Sequence, residues 1–420
     1  MRETNFKHTD IGPIPHDWEM KRLGEFSLPI IYGIAARATS YDGSTKYIRI
    51  TDIDDNSHKY NPRPLCSPDF WTDDYLLDED DILFARTGSS VGKTYLYSSA
   101  DGKLIFAGFL MKAHIIEENA KYVFYQTHTD WYKSWVETQS KRTGQPGINA
   151  QQLSNLEIPL PPFAEQEAIG KALSDVDELI DRLRKLIDKK RNIKQGAMSS
   201  LLTGRLRLPG FTRPWTINEL DQIGIIIPNN SLSWDCLTSE GTVADIHYGQ
   251  ILTKFGAIVD VSKTSLPYIK SNYEPRFLKS SIAQDGDVIF ADTAEDDTVG
   301  KAIELTNIKD AIIVSGLHTF WFRPTIRFAS KFLGYALNEF DFHSQIPPLS
   351  TGTKVSSISK PNLLKLVLSY PADIKEQEAI AKILTDMDDE IESLEKKLSK
   401  YEQMKQGMMT ELLTGKIRLI

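Results

Sequence analysis

Two stretches of the chain carry the same alternation of apolar and polar positions. In Glu376–Leu419 the apolar residues Ile380, Leu384, Met387, Ile391, Leu394, Leu398 and Tyr401 step by alternating fours and threes, the spacing of a coiled-coil seam. In Glu165–Leu208 the matching residues are Ile169, Leu173, Val176, Ile180, Leu183 and Ile187. The stretches align without a gap and are identical at roughly half of their positions, so they are an internal repeat. Asp, Glu, Lys and Arg flank both seams and keep the outer faces wet. A long helix is predicted in each. Pro159, Pro161 and Pro162 mark the first start. Pro371 followed by Asp373-x-x-Glu376 marks the second with a capping-box pattern. Gly204 and Gly415 mark the ends. About forty residues at ~1.5 Å each make a rod of about 60 Å. A repeated seam of equal length is better explained by two rods packed on each other than by two independent surface helices.

The repeat divides the chain into a first body (1–157), a helix (158–208), a second body (209–370) and a second helix (371–420). In the first body, strand-like runs at Lys46–Ile53, Asp81–Arg86 and Thr94–Tyr97 lie between Gly, Ser and Asp turns. Tyr122–Val136 reads as a short aromatic-rich helix. A polar loop, Lys141–Gln152, and an extended exit at 156–159 follow. The second body echoes the first. Tyr248-Gly249 echoes Tyr32-Gly33, and Tyr268-Ile269-Lys270 echoes Tyr47-Ile48-Arg49. Asp287–Asp292 echoes Asp81–Arg86, and Val299-Gly300-Lys301 echoes Val91-Gly92-Lys93. Thr351-Gly352 before Asn362-Leu363 echoes Thr143-Gly144 before Asn155-Leu156. The strand-like frames match while the loops differ in length and chemistry. That is one α+β fold with two differently dressed surfaces, suited to reading two different things.

Composition narrows the picture. With 420 residues, 41% hydrophobic and 25% charged, the chain is an ordinary globular protein of two or three domains. Cys66 and Cys236 lie in different halves and form no disulfide or metal framework, which fits a reducing cytoplasm. The first fifteen residues lack the apolar core of a signal peptide. The apolar runs are too short to span a bilayer, so no membrane partner is expected. A net charge of −8 argues against coating nucleic acid by bulk positive charge, though not against local basic clefts. Asp69, Asp73, Asp74 and the acids at 78–81 read as a solvated turn.

The candidate chemistry is sparse. Gly88-Ser89-Ser90-Val91-Gly92-Lys93-Thr94 follows an apolar strand, but a phosphate loop needs four residues between its glycines and this one has three. Leu160-Pro161-Pro162-Phe163 resembles the proline loop of amino-methyltransferases, but leucine cannot accept the hydrogen bond that loop's polar first residue makes. The eight histidines do not pair at metal-ligand spacing, and no Ser/His/Asp set is legible. Neither a catalytic residue nor a bound cofactor is expected in this chain. Gly196 and Gly407 interrupt good helix at about 1 kcal/mol each. Their recurrence points to a close helix approach or a subunit contact, with a frayed helix end as the simpler account.

Ile158-Pro159-Leu160-Pro161-Pro162 with Glu165-Gln166, and Lys194-Gln195-Gly196 with Leu201-Leu202-Thr203-Gly204, both repeated, resemble the specificity subunit of type I restriction–modification systems. Ile82–Gly88 with Val91-Gly92-Lys93 resembles a strand and loop of that family's target-recognition domains. The second body departs from the pattern at Asp292 and in the Glu295–Thr298 insert. The resemblance implies a non-catalytic, cytoplasmic reader of double-stranded DNA. Two target-recognition domains are separated by two helices packed as an antiparallel coiled coil with pseudo-twofold symmetry. Each domain reads half of a split, asymmetric site. Two methyltransferase (modification) subunits carrying S-adenosylmethionine, and restriction subunits with translocase and nuclease activity, would dock on it. Major-groove reading needs directed donors and acceptors. The first body's loops offer Lys46, Arg49, Arg86, Thr87, Ser89, Ser90, Lys93, Lys141, Arg142 and Gln145. The second offers Lys254, Lys270, Asn272, Asp292, Lys301, Thr353, Lys354 and Ser356. Asp292 can accept from a cytosine amino group. Two rival readings stay open: an enzyme with a phosphate loop at Gly88, and a coiled-coil scaffold with no DNA role.

Overall fold

The computed structural model describes residues 5–141, 144–274 and 282–419. The chain forms two compact units: Met1–Arg184 with Lys396–Ile420, and Lys185–Glu395. Helices of 39 residues each, Phe163–Leu201 and Ile374–Leu412, cover both predicted seams. Each unit therefore takes the start of one long helix and the end of the other. Ile169, Leu173, Val176, Ile180 and Leu183 are buried, as are Ile380, Leu384 and Ile391, while Met387 and Leu394 are half-buried.

In the first unit, Lys405 pairs with Asp177 at 2.6 Å and Arg184 with Glu402 at 2.7 Å. In the second, Arg191 pairs with Glu395 at 2.6 Å and Lys194 with Asp388 at 2.5 Å. One partner's number rises as the other's falls, so the helices run antiparallel within each unit. Tyr125 donates to Asp177 at 2.7 Å, and Tyr335 donates to the equivalent Asp388 at 2.8 Å. Each globular part is thus tied to its helix in the same way.

The first unit is built on a four-stranded antiparallel sheet in the order Ile31–Tyr32, Leu110–His114, Asp81–Ala85, Thr94–Leu96. The second carries the same plan with a fifth strand: Gly224–Ile227, Thr319–Pro324, Val288–Ala291, Ala302–Thr306, Ile258–Asp260. The central strands are near-continuous apolar runs because both faces are covered. Ile82 and Phe84 enter the core shared with the long helices, while Leu83 and Ala85 enter a second cluster behind the sheet. Val288 and Phe290, then Ile289 and Ala291, divide in the same way. This two-residue period brings each central strand out of its core at one fixed place, Arg86 in the first unit and Asp292 in the second.

Four local readings need correction. The predicted helix Tyr122–Val136 is two helices, Ala120–Gln126 and Asp130–Ser140. Between them the hydroxyls of Thr127 and Thr129 donate to the carbonyls of Phe124 and Gln126, competing with helical continuation. The capping box at Asp373 does not close: Asp373 Oδ1 accepts from the Lys375 amide at 3.0 Å, but Glu376 is engaged by Arg207. Asp81 is buried rather than solvated. It accepts from the Asp78 amide at 2.8 Å and pairs with His114 at 2.9 Å.

The fourth correction concerns register. The amides of Ala107 and Gly316 donate to Ile48 and Ile246 respectively, so Ile246, not Ile269, matches Ile48. Arg49 is then matched by His247, and both cap short helices. Tyr32 closes an edge strand, whereas Tyr248 opens a helix. Likewise Asn149 and Ser359 head equivalent short helices, which sets Leu363 against Leu153.

Candidate nucleic-acid interface

In the first unit three loops meet at the end of the central strand. The Arg86 amide donates to Phe109 O at 3.1 Å, and the Ile148 amide donates to Arg86 O at 2.9 Å. The Gly88 amide donates to Pro146 O at 3.0 Å, and Thr87 bridges Gly147. Gly88 has φ +78° and Gly92 φ +84°, a conformation that favours glycine. A Cβ on Gly88 would stand 3.1 Å from Gln145 Nε2. Arg86, Thr87, Ser89, Ser90 and Gln145 are therefore gathered around one turn. The Arg86 Nε donates to Gly108 O at 3.0 Å, and its guanidinium lies 4.8 Å from the centre of the Tyr32 ring.

The second unit repeats this backbone frame. The Asp292 amide donates to His318 O at 3.1 Å, the Ile358 amide to Asp292 O at 3.0 Å, and the Gly300 amide to Ala291 O at 2.8 Å. Thr293–Ala294 pairs with Ser356–Ser357, and Thr293 donates to Ser356 O at 3.1 Å. The side chains differ. His318 Nδ1 faces Asp292 Oδ1 at 3.3 Å and its ring meets Tyr248 edge-on at 5.3 Å. Burial pushes the Asp292 carboxyl above the usual range, and His318 opposes that shift.

Other candidates are already occupied. Arg49 forms a two-pronged ion pair with buried Asp52, both bonds 2.8 Å, which raises its pKa. The Lys93 ammonium turns inward to Ile53 O at 3.0 Å and pairs with Asp55. Lys301 donates to Leu252 O at 3.2 Å, and burial lowers its pKa. Lys46 donates to Asp101 O, and Lys270 to Asp235 O at 2.6 Å. Lys141, Lys254, Asn272, Thr353 and Lys354 are exposed on loops. Arg142 lies outside the described residues. Sequence reasoning missed Phe109 and His318, the residues that flank Arg86 and Asp292. No local motif marks them, because their role follows from pairing with the central strand.

Gly196 and Gly407 are exposed, and a Cβ on either would meet no atom within 4 Å. Among the described residues no neighbouring helix approaches either glycine closely, which removes that account of the repeat. Both sit inside their helices, so a frayed end does not explain them either. Among the described residues no cluster of three His, Cys, Asp or Glu could hold a metal ion, and no helix is long and apolar enough to cross a membrane.

Comparison with known proteins gives this architecture its class. The profile described as the type I restriction modification DNA specificity domain matches residues 15–190 and again 214–403. Over 443 residues the chain is 30% identical to a Methanocaldococcus jannaschii protein assigned as the specificity subunit of type I restriction enzyme MjaX, with 100% of this chain and 98% of that protein covered. It is 26% identical over 451 residues to the MjaVIII specificity subunit of the same organism, covering 100% and 97%. The crystal structure of a type I restriction–modification S subunit from M. genitalium matches with TM-score 0.61 at 14% identity, covering 98% of this chain and 97% of that one. A chain from a structure concerned with assembly and conformational transition of the type I system matches with TM-score 0.51 at 18% identity, covering 96% and 99%. At these identities the two structural likenesses speak for the fold. The class is a DNA specificity protein with a duplicated recognition fold. The chain belongs to the family of type I restriction–modification DNA specificity subunits.

Proposed function

We propose that each unit reads one half of a split, asymmetric DNA site, and that the chain thereby brings two modification subunits and the restriction subunits to that site without performing chemistry itself. S-adenosylmethionine would be held by the modification subunits. The observation that carries this reading is the repeated backbone frame with opposite side chains at its exit, Arg86 in one unit and Asp292 in the other. Two equal frames with unequal dressing suit the reading of two unequal sequences. The net charge of −8 is compatible, because base reading depends on directed donors and acceptors while bulk positive charge supplies non-specific affinity. The test is genome-wide adenine methylation in cells with the modification subunits, compared with and without this chain. The expected result is loss of methylation at one two-part motif. Unchanged methylation, or loss at a single uninterrupted motif, contradicts the reading.

A further inference from the structure

We infer that the two half-sites are read with opposite hydrogen-bond polarity at the same place in the frame: Arg86 donates to a guanine edge in one half-site, and Asp292 accepts from an exocyclic amino group, of cytosine or adenine, in the other. This rests on the two-reader function proposed above and adds the chemistry of each half-site.

The two residues occupy one position. Each follows the central strand, donates its amide to the carbonyl of the residue just before the paired neighbouring strand (Phe109 or His318), and accepts at its carbonyl from the amide of Ile148 or Ile358. Arg86 is held from two sides. Its Nε is spent on Gly108 O, and its plane rests on Tyr32. Tyr32 is itself fixed by strand pairing to Met111 and by accepting from the Ala150 amide at 3.0 Å. Among the described residues Arg86 has no acidic partner. Its two terminal nitrogens remain, a planar fork with donors only, which matches guanine O6 and N7 in the major groove. Neighbouring Phe109 is 62% exposed and offers no charge to divert the fork.

At the matching place in the second unit, His318 Nδ1 stands 3.3 Å from Asp292 Oδ1, a buried oxygen that accepts no hydrogen bond from the described residues of the protein. The carboxylate offers acceptors only and is repelled by phosphate, so the contact open to it is a base donor. In the major groove those donors are cytosine N4 and adenine N6. Tyr32 is then a positioning residue for Arg86, and His318, braced by Tyr248, is one for Asp292.

The test is selection from randomised duplexes by the full chain assembled with its modification subunits. Each variant's folding is checked by circular dichroism and thermal unfolding. Arg86→Gln should lower guanine preference at one position about tenfold or more and leave the other half-site intact. Tyr32→Ala should weaken preference at that same position, and Tyr32→Phe, which keeps the ring face, should restore it. Asp292→Asn, nearly isosteric, should alter preference at one position of the other half-site only, and D292R should move it toward guanine. Uniform weakening on all duplexes by Arg86→Gln would make Arg86 a phosphate contact and overturn the inference. So would an unchanged motif from folded Asp292→Asn. If the unaltered assembly selects no two-part motif, the two-reader function itself fails. A motif that ignores these variants defeats only the polarity assignment.

Discussion

Arg418 donates through Nε and Nη2 to the two carboxylate oxygens of Glu165, each at 2.7 Å. Arg207 does the same to Glu376 at 2.6 and 2.8 Å. In each unit the arginine follows the end of one long helix and the glutamate lies in the first turn of the other. The repeated Glu-Gln and Thr-Gly-x-x-Arg-Leu motifs are thus two parts of one clamp. The adjacent glutamines complete it: Gln166 accepts from the Asn119 amide at 3.0 Å and Gln377 from the Ala329 amide at 2.9 Å, tying helix starts to the globular parts.

Removing one side of that clamp strands a buried charge. Glu165 is only 3% exposed, so Arg418→Ala should destabilise the protein by about 3–5 kcal/mol in denaturant unfolding. Asp17 also binds Arg418, at 2.7 and 2.9 Å, but its side chain is 53% exposed. Asp17→Ala should therefore cost no more than about 1 kcal/mol. Equal losses would show that the pair with Glu165 is not the stabilising contact.

Arg49 and Lys93 should behave as structural residues. Arg49→Ala leaves Asp52 buried without its ion pair, a cost of the order of 3 kcal/mol, visible as a lower unfolding midpoint. The DNA motif selected by the folded fraction should stay the same. A changed motif at full stability would return Arg49 to the reading surface.

The exposed glycines give a prediction of the opposite sign. A Cβ at position 196 or 407 meets nothing, so Gly196→Ala and Gly407→Ala should each stabilise the isolated chain, by up to about 1 kcal/mol. If these faces receive the modification subunits, leucine at both positions should leave the isolated chain at least as stable as the parent while weakening co-purification with those subunits. Full assembly by the leucine variant would remove the subunit-contact reading.

One half-buried and one buried group predict pH effects of opposite sign. Burial holds His128 well below its usual range, and the neighbouring His58 and Lys405 push it further down. As pH falls below about 6.5 the unfolded chain takes up a proton that the folded chain refuses, so stability drops by up to ~1.4 kcal/mol per pH unit. Glu304 is pushed up to about 7 by burial, against the backbone amides of Gly334, Lys331 and Leu333 that hold it down. Its contribution is fully present below about pH 4.5 and is lost as pH rises through about 7. Unfolding titrations of His128→Leu and Glu304→Gln should each lose one of these slopes. A variant with the parental pH profile would show that its group does not titrate in that range.

Much of the architecture was legible because periodicity reports burial directly. The seam at Ile169 and Leu173 and the central strands Asp81–Ala85 and Val288–Ala291 followed from spacing and apolar runs. Register across the two bodies was less legible. Tyr47-Ile48-Arg49 and Tyr268-Ile269-Lys270 share letters, yet hydrogen bonding matches Arg49 to His247. The reading surface was legible only in part. Arg86 and Asp292 could be found because they end apolar strands. Phe109 and His318 could not, since they reach that surface through pairing with a strand distant in sequence. Basic residues such as Lys93 looked available because sequence does not show which carbonyl an ammonium will find.

The central claim is that the two units are separate readers, and exchange of one of them tests it most directly. Residues 1–157 would be replaced by the matching domain of a relative with a different motif, and the hybrid assembled with the modification subunits. Methylated sites would then be sequenced. The account predicts that one half of the motif changes to the relative's and the other half, with the length of the gap, stays as it was. A hybrid that changes both halves, or is active with neither half changed, contradicts it.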